Sequence, residues 1–471
     1  MMKNKRLNFL LNDTVIDTEL NPAAPLLDFI RNDHSLKGTK EVCKEGDCGA
    51  CSVLIGSIEN NEIKYQTITS CIYPIGNCSG KHIVTIEGLN KSDLLFQQKV
   101  FVDEHATQCG FCTPGFIIST TAYLINNDQY KIGEAINSIA GNICRCTGYN
   151  SIKRALKNIV EKLNGNNQKE HLDFLIENNV IPEYFKNVFS RLENLQYSNM
   201  NSENEQFTYV GGGSDLFVQK PEMLFDSEVR FINELDLNYI EQKFNFIEIG
   251  SGLSFEDFKN SKCINNYFST IENDLELVAS LPIRNFATIG GNLCNASPIG
   301  DLSIILLSLD CELVISNGVS NRELKIKDFY LGYKKLAKSD NEFIKCIRIP
   351  LPKNKYKFSF EKVSKRTYLD IASVNTALYI EYDNNKILNA SLSAGGVSPI
   401  PLLLSKTNKG LCDKEINLQT LNEIISSAQN EISPISDVRG SSDYKRMLLN
   451  QLIKAHFLKL FPEKITELEL I

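Results

Sequence analysis

The longest apolar stretch of this 471-residue chain, SIILLSL (Ser303–Leu309), is closed after a few residues by Asp310. A helix needs about 20 apolar residues to cross a bilayer, so no membrane span is expected. The N-terminus, MMKNKRLNFLLNDT, starts basic, but its apolar run breaks at Asn12 and Asp13. Neither a signal-peptide core nor a twin-arginine pair follows, and a cytoplasmic protein is expected. Positive charge is scarce too: 50 Lys and Arg stand against 57 Asp and Glu, a net charge of −7. That balance leaves no electrostatic footprint for nucleic acid or an anionic membrane. Only five histidines occur, scattered singly, with no Ser–His–Asp, Cys–His or metal-hydrolase arrangement. No long internal repeat is present.

Cysteine is what the chain has in excess. Nine of its 14 cysteines lie in the first 146 residues, and the other five are scattered singly. A reducing compartment argues against a disulfide framework, so clustered cysteines there point to metal binding or catalysis.

Residues 5–80 read as strands and turns. RLNFLLND and TVIDTEL form a hairpin, PLLDFIRND a short amphipathic helix, and SVLIGSIE and IKYQTITSCIYP further strands. Residues 95–164 read as helical, with Pro114 at a helix start. NSIKRALKNIVEKLNG carries Ile152, Ala155, Leu156, Ile159, Val160 and Leu163 on one stripe, with Asn150 or Ser151 as cap and Gly165 as stop. Two Asn-rich patches, NGNNQKE and SNMNSENEQ, flank a short helical segment, and the first reads as a linker. From about 207 to 350 glycine-rich turns alternate with apolar runs. Strands follow, with a hairpin turning at Asp383–Lys386, and the chain ends in helices near 418–430 and 442–460.

CKEGDCGACSV places Cys43, Cys48 and Cys51 at C-x4-C-x2-C, with Cys71 twenty residues on. This is the plant-type [2Fe–2S] spacing, a loop wrapping the cluster while a fourth thiolate arrives from a strand. Gly46 and Gly49 let the chain curl so that backbone N–H groups turn toward the sulfurs. Zinc is the other reading, but it favours two short knuckles over a loop of three plus one remote thiol. Cys78 reads as a packed cysteine. TQCGFCTPG and GNICRCTGY supply Cys109, Cys112, Cys144 and Cys146 at helix ends, where four side chains can converge. Taken alone, this second set suits zinc as well as iron; beside a ferredoxin-type loop, a second cluster makes a wire.

EGDCGACSV, TQCGFCTPGF and GNICRCTGY together resemble the paired [2Fe–2S] domains of the molybdenum hydroxylase (xanthine oxidase) family, and all eight cysteines match. The resemblance implies a β-grasp ferredoxin domain followed by a helical-bundle domain, each with one [2Fe–2S] cluster. It also implies that Gln108 lies against the pterin of a molybdenum cofactor in a neighbouring domain or subunit.

YVGGGSDLFVQ (Tyr209–Gln219) puts three glycines after a strand, where backbone amides can approach a pyrophosphate. By itself it is equally an ordinary tight turn, and it is neither a Rossmann fingerprint nor a P-loop. LPIRNFATIGGNLCNASPIGDL (Leu281–Leu302) is again rich in glycine and small residues. The two stretches resemble the family's FAD-binding domain, of the vanillyl-alcohol-oxidase-like fold. Carried over, Tyr209, Val210, Gly211, Gly212, Gly213, Ser214, Asp215 and Leu216 would cradle the pyrophosphate and ribose. Thr288, Gly290, Gly291 and Asn292 would extend that cradle, and Asp301 would hold a sugar or phosphate-side hydroxyl. Ile344 would line the flavin site and Lys362 would sit close to the cofactor, although Lys362 and Arg366 otherwise read as a solvated strand face. Val278 stands where some relatives carry an aromatic residue that stacks on the flavin, and Cys294 reads as a packed residue. SAGGVSPIP (Ser393–Pro401) resembles the family's flavoprotein C-terminal domain.

The resemblance implies a multidomain α+β chain: a ferredoxin domain over 1–84, a helical [2Fe–2S] domain over 85–165, a linker over 166–206, an FAD-binding domain over 207–352 and a C-terminal domain over 353–471. The order, ending after the flavin part, is similar to the Fe–S/FAD chain of two-subunit bacterial xanthine dehydrogenases. Such a chain is expected to pass electrons from a molybdopterin centre on a large partner subunit, in an α2β2 assembly, through both clusters to FAD and then NAD+, with hypoxanthine and xanthine oxidised to urate. Hydroxylation of aldehydes or other N-heterocycles is the nearest alternative. A zinc-stapled nucleotide-binding interaction protein is the alternative from another class.

Overall fold

The structure is a computed structural model and describes residues 4–90, 92–164, 170–195 and 207–466. The chain divides into two compact units, one of residues 1–231 with 280–286, the other of residues 232–279 with 287–471.

The first unit opens on a five-stranded sheet. β1 (Lys5–Leu11) and β2 (Thr14–Leu20) form the expected hairpin, and β3 (Ser52–Glu59) and β4 (Glu62–Thr69) form another. β5 (His82–Val84) lies between them, parallel to β1 and antiparallel to β3, giving the order β2-β1-β5-β3-β4. Leu7 and Phe9, with the more exposed Arg6 before them and Asn8 between them, pack with Leu26, Leu27 and Phe29 from the short helical segment that follows the hairpin. His82 is sealed inside, its Nδ1 2.7 Å from the Tyr65 hydroxyl and its Nε2 2.9 Å from the Asn12 carbonyl. Burial pushes that imidazole down to about 3.

Among the described residues a single turn, Ile86–Leu89, and then the longer helices Phe96–Asp103, Thr113–Asn126, Ile132–Ser138 and Asn150–Leu163 follow. The last buries the stripe read from its periodicity, Ile152 through Leu163. Its cap is different from the expected one. Tyr149, not Asn150 or Ser151, is the N-cap, with φ +67°. That left-handed tyrosine is held by two local bonds: its N–H donates to Thr147 Oγ1 at 3.2 Å, and its hydroxyl accepts from the Cys144 N–H at 3.0 Å. The helix ends at Asn164; Gly165, the expected stop, lies outside the described residues, as do most of NGNNQKE and all of SNMNSENEQ. Between these patches Phe174, Leu175 and Phe185 join the core of the helical region. β6 (Thr208–Val210) and β7 (Val229–Phe231) close the unit as a parallel pair.

The second unit holds a sheet of β8 (Ile240–Gln242), β9 (Phe246–Gly250), β10 (Glu312–Ser316) and β11 (Asn321–Lys325), a small pair of β12 (Tyr330–Gly332) with β13 (Lys335–Leu336), and β14 (Phe343–Pro350). The order of the larger sheet is β11-β10-β14-β9-β8. β15 (Tyr356–Val363), β16 (Val374–Asp383), β17 (Lys386–Gly395) and β18 (Leu402–Leu403) form a second sheet, with the β16–β17 hairpin turning where the sequence predicts. Helices Leu418–Glu431 and Ser442–Leu460 complete the unit and share a core with β16 and β17. His456, on the last helix, is sealed against the sheet. Its Nδ1 lies 2.6 Å from Ser359 Oγ and its Nε2 2.8 Å from Thr376 Oγ1, and burial pushes it down to about 3. Among the described residues no helix is long and apolar enough to cross a membrane.

Candidate functional site

The loop carrying the first three cysteines is shaped by positive backbone angles at Lys44 (φ +56°), Gly46 (φ +78°) and Gly49 (φ +66°). A Cβ at Gly46 would come within 2.6 Å of Ile72, and one at Gly49 within 2.4 Å of the Gly141 carbonyl, so both positions need glycine. Cys71 follows directly on β4, in the short turn Ser70–Ile72. The four thiols form a connected chain. Protonation of Cys43 is tied to that of Cys48 and Cys71, and protonation of Cys71 to that of Cys51. Bonds from Cys48 and Cys71 hold the Cys43 thiol far below its ordinary range, and the bond from Cys71 lowers Cys51. Cys48 and Cys71 are raised, first by their bonds to Cys43 and then by other bonds and burial. Backbone N–H groups also point at sulfur: Glu45 N lies 3.5 Å from Cys43 Sγ, and the Ala50 and Gly46 amides serve Cys48 and Cys71. Thiols that share protons, ringed by amide donors, are the donor set an anionic thiolate cluster requires.

The second set sits at the start of helix Thr113–Asn126, whose N-cap is Cys112, and in the loop before Tyr149. Cys109 and Cys146 are exposed, their sulfurs 3.6 Å apart. Cys112 bonds with the buried Cys144, and burial first, then that bond, pushes Cys112 up to about 12. Burial works to raise Cys144 as well, but the Thr147 hydroxyl at 3.1 Å and amide at 3.4 Å outweigh it and lower that thiol. Gln108 is exposed beside Cys109. Among the described residues no three His, Cys, Asp or Glu side chains surround a single point as one metal ion would require. The sulfurs of the second set instead meet in two pairs, Cys109 with Cys146 and Cys112 with Cys144, which suits two irons taking two thiolates each.

The residues expected around the flavin fall in both units. In the first, Tyr209 and Val210 end β6, Gly211–Gly213 make the turn, and Ser214, Asp215 and Leu216 begin helix Ser214–Gln219. Gly213 has φ +82°, and a Cβ on Gly212 would lie 2.0 Å from the Phe286 carbonyl. The turn packs Gly212 against Phe286 and leaves Gly211 and Gly213 half-buried, side-chain-free backbone of the kind a diphosphate cradle uses.

In the second unit Thr288 Oγ1 accepts from the Gly291 amide at 3.1 Å and caps helix Ile289–Asn295. Gly290 packs on Ser251, where a Cβ would meet another at 2.6 Å. Asn292 is fixed by Ser303, whose hydroxyl donates to its Oδ1 at 3.0 Å, and Ser303 in turn accepts from Tyr330 at 3.2 Å. Asp301 and Lys362 hold each other. Lys362 Nζ donates to Asp301 Oδ2 at 2.8 Å and to the Leu277 carbonyl at 2.7 Å, and the Lys362 side chain is 1% exposed. Asn375 Nδ2 donates to the other Asp301 oxygen at 2.5 Å. Lys362 is therefore no solvated strand residue, whereas Arg366 is exposed. Ile344 is buried in β14 opposite Ile315 of β10, and Val278 is buried with its amide on the Leu275 carbonyl. Asn375 carries this geometry without standing in any recognisable motif, and Phe286, inside the Leu281–Leu302 stretch, has no signal of its own.

Three family models match the chain. Residues 85–157 match a [2Fe-2S] binding domain, residues 184–352 the FAD binding domain in molybdopterin dehydrogenase, and residues 359–460 the CO dehydrogenase flavoprotein C-terminal domain. Among curated proteins, xanthine dehydrogenase of Emericella nidulans is 27% identical over 84% of this chain, and xanthine dehydrogenase/oxidase of Rattus norvegicus 26% over 95%. The matched regions span 34% and 38% of those proteins. Among solved structures, a chain of reconstituted CO dehydrogenase from Oligotropha carboxidovorans has a TM-score of 0.51 at 22% identity, covering 56% of this chain and 91% of that one. A chain of quinoline 2-oxidoreductase from Pseudomonas putida 86 has a TM-score of 0.50 at 20% identity, covering 55% and 90%. These likenesses are of fold.

The matched domains define an iron–sulfur flavoprotein. Together with the xanthine dehydrogenase relatives, they support an iron–sulfur and flavin subunit of a molybdenum hydroxylase.

Proposed function

We propose that this chain is the electron relay of a molybdenum hydroxylase of the xanthine dehydrogenase type. The observation that carries the reading is the two groups of four cysteines, the first linked in a row and the second in two pairs, in a chain whose later domains are the family's flavin domains. Cys43, Cys48, Cys51 and Cys71 would hold one [2Fe–2S] cluster, and Cys109, Cys112, Cys144 and Cys146 the other. Iron–sulfur clusters supply one-electron carriage, and a flavin gathers two electrons for a hydride acceptor.

The second set is the entry side, because Gln108, Cys109 and Cys146 are open to a partner's surface. That partner would be a large molybdopterin-binding subunit, in an α2β2 assembly, which oxidises hypoxanthine and xanthine. Each unit offers a glycine turn of the kind that receives a diphosphate or ribose of FAD, Gly211–Gly213 in one and Gly290–Gly291 in the other. The Asp301–Lys362 pair would present fixed charge beside the cofactor, and NAD+ would be the acceptor. Free thiols throughout the chain suit a reducing cytoplasm.

Composition analysis of the native complex tests this. About four irons, as many acid-labile sulfides and about one FAD per chain are expected, with a molybdopterin subunit co-purifying and xanthine driving NADH formation. A colourless, zinc-loaded chain would overturn the relay. Turnover of an aldehyde or another heterocycle in place of xanthine would overturn only the substrate assignment.

A further inference from the structure

One buried side chain that is no thiol ties the two cysteine loops together. Asn142, 4% exposed, lies two residues before Cys144. Its Nδ2 donates to the Gly49 carbonyl at 3.0 Å, in the loop between Cys48 and Cys51, and reaches Ser52 Oγ at 3.5 Å. Its Oδ1 accepts from Ser119 Oγ at 2.7 Å, on the helix that starts directly after Cys112. The residue after it completes the seam, since the Ile143 N–H donates to the Cys48 carbonyl at 3.0 Å. The backbones are in contact along this line. A Cβ at Gly49 would lie 2.4 Å from the Gly141 carbonyl, and one at Gly115 would lie 2.3 Å from the Gly49 carbonyl. A buried amide with both ends bonded has one low-energy placement, because any shift strands polar groups away from water.

We infer that Asn142 is a positioning residue that sets the separation of the two thiol sets, and with it the electronic coupling between the clusters they hold. The Ile143–Cys48 hydrogen bond gives a bonded link from the Cys144 segment to a cysteine of the other set. The inference rests on the two-cluster reading and adds to it a residue that touches no iron. Outer partners of a metal site commonly change its behaviour by about 10- to 100-fold when lost. A residue that merely filled space would leave the coupling as it is.

Full-length Asn142→Ala and Asn142→Asp proteins, reduced with dithionite and measured by low-temperature electron paramagnetic resonance, test this. Asp keeps the size and the Ser119 bond but loses the donor to Gly49, so it carries the same readout should the alanine variant not accumulate. The wild-type chain should show two reduced-cluster signals with mutual magnetic splitting. The variants should keep both signals and the iron content, show reduced splitting and, in half-reduced samples frozen at intervals, exchange electrons between clusters about 10-fold more slowly. Unchanged splitting and exchange overturn the proposal. Loss of one signal in the variants alone also overturns it, making Asn142 a residue that retains a cluster. Fewer than two signals in the wild-type chain overturn the two-cluster reading itself, and the proposal falls with it.

Discussion

Cys112→Ser is expected to abolish one cluster signal, take iron from about four to about two per chain, and leave the other cluster's spectrum in place. Cys112 shares its contact with Cys144, and neither touches the Cys43 group through any sulfur bond, so the damage should stay local. In the assembled complex, substrate should still reduce the molybdenum centre while NADH formation collapses. Outer partners already cost about 10- to 100-fold, so losing a ligand should leave about one hundredth of wild-type turnover or less. Unchanged NADH formation would sink the relay.

Asp301→Ala is expected to be the most destabilising single change in the second unit. It leaves the Lys362 ammonium, 1% exposed, with only the neutral Leu277 carbonyl as partner. Breaking a buried pair from one side costs about 3–5 kcal/mol, a fall on the order of 10 °C in Tm. FAD content should fall with it. Lys362→Met should be milder, because burial already pushes the Asp301 carboxyl up and it can take a proton while keeping Asn375. A group whose pKa is raised in the folded state holds its proton more tightly there than when unfolded. Relative to wild type, the methionine variant should therefore lose least at low pH and progressively more as pH rises through the folded Asp301 value. Thermal melts of both variants and the wild type over about pH 5 to 8 decide this; equal losses, or a Lys362→Met deficit against wild type that shrinks as pH rises, would refute the asymmetry.

The cysteine sets were legible because their chemistry is written in short spacings. C-x4-C-x2-C and C-x-C are local, and the glycines that let the loop curl stand within the same few residues. The helix from Asn150 to Leu163 was legible for the same reason, its stripe being periodic. What escaped is long-range. Asn142 lies in a motif plain to read, but its contacts to Gly49 and Ser119 depend on how two loops and a helix meet. Asp301 pairs with Lys362 sixty-one residues later, and nothing local to FEKVSKR distinguishes that lysine from a solvated one. Gly212 needs to be glycine because of the Phe286 carbonyl, which no pattern around YVGGG announces. The cap at Tyr149 was missed because propensity favours Asn and Ser, while bonds to Thr147 and Cys144 outweigh the cost of a left-handed tyrosine.

The sealed histidines have a bearing on how the protein is handled. His82 in one unit and His456 in the other stay neutral in the folded chain down to about pH 3, whereas an unfolded imidazole takes a proton near pH 6.5. The unfolded chain thus gains protons first, so this contribution to stability is whole above about pH 6.5 and drains as acid is added. Each unit carries its own such latch. Mild acidification works on both by the same chemistry, whichever cofactors they hold, and neutral to alkaline buffers are the ones in which each unit keeps its full margin.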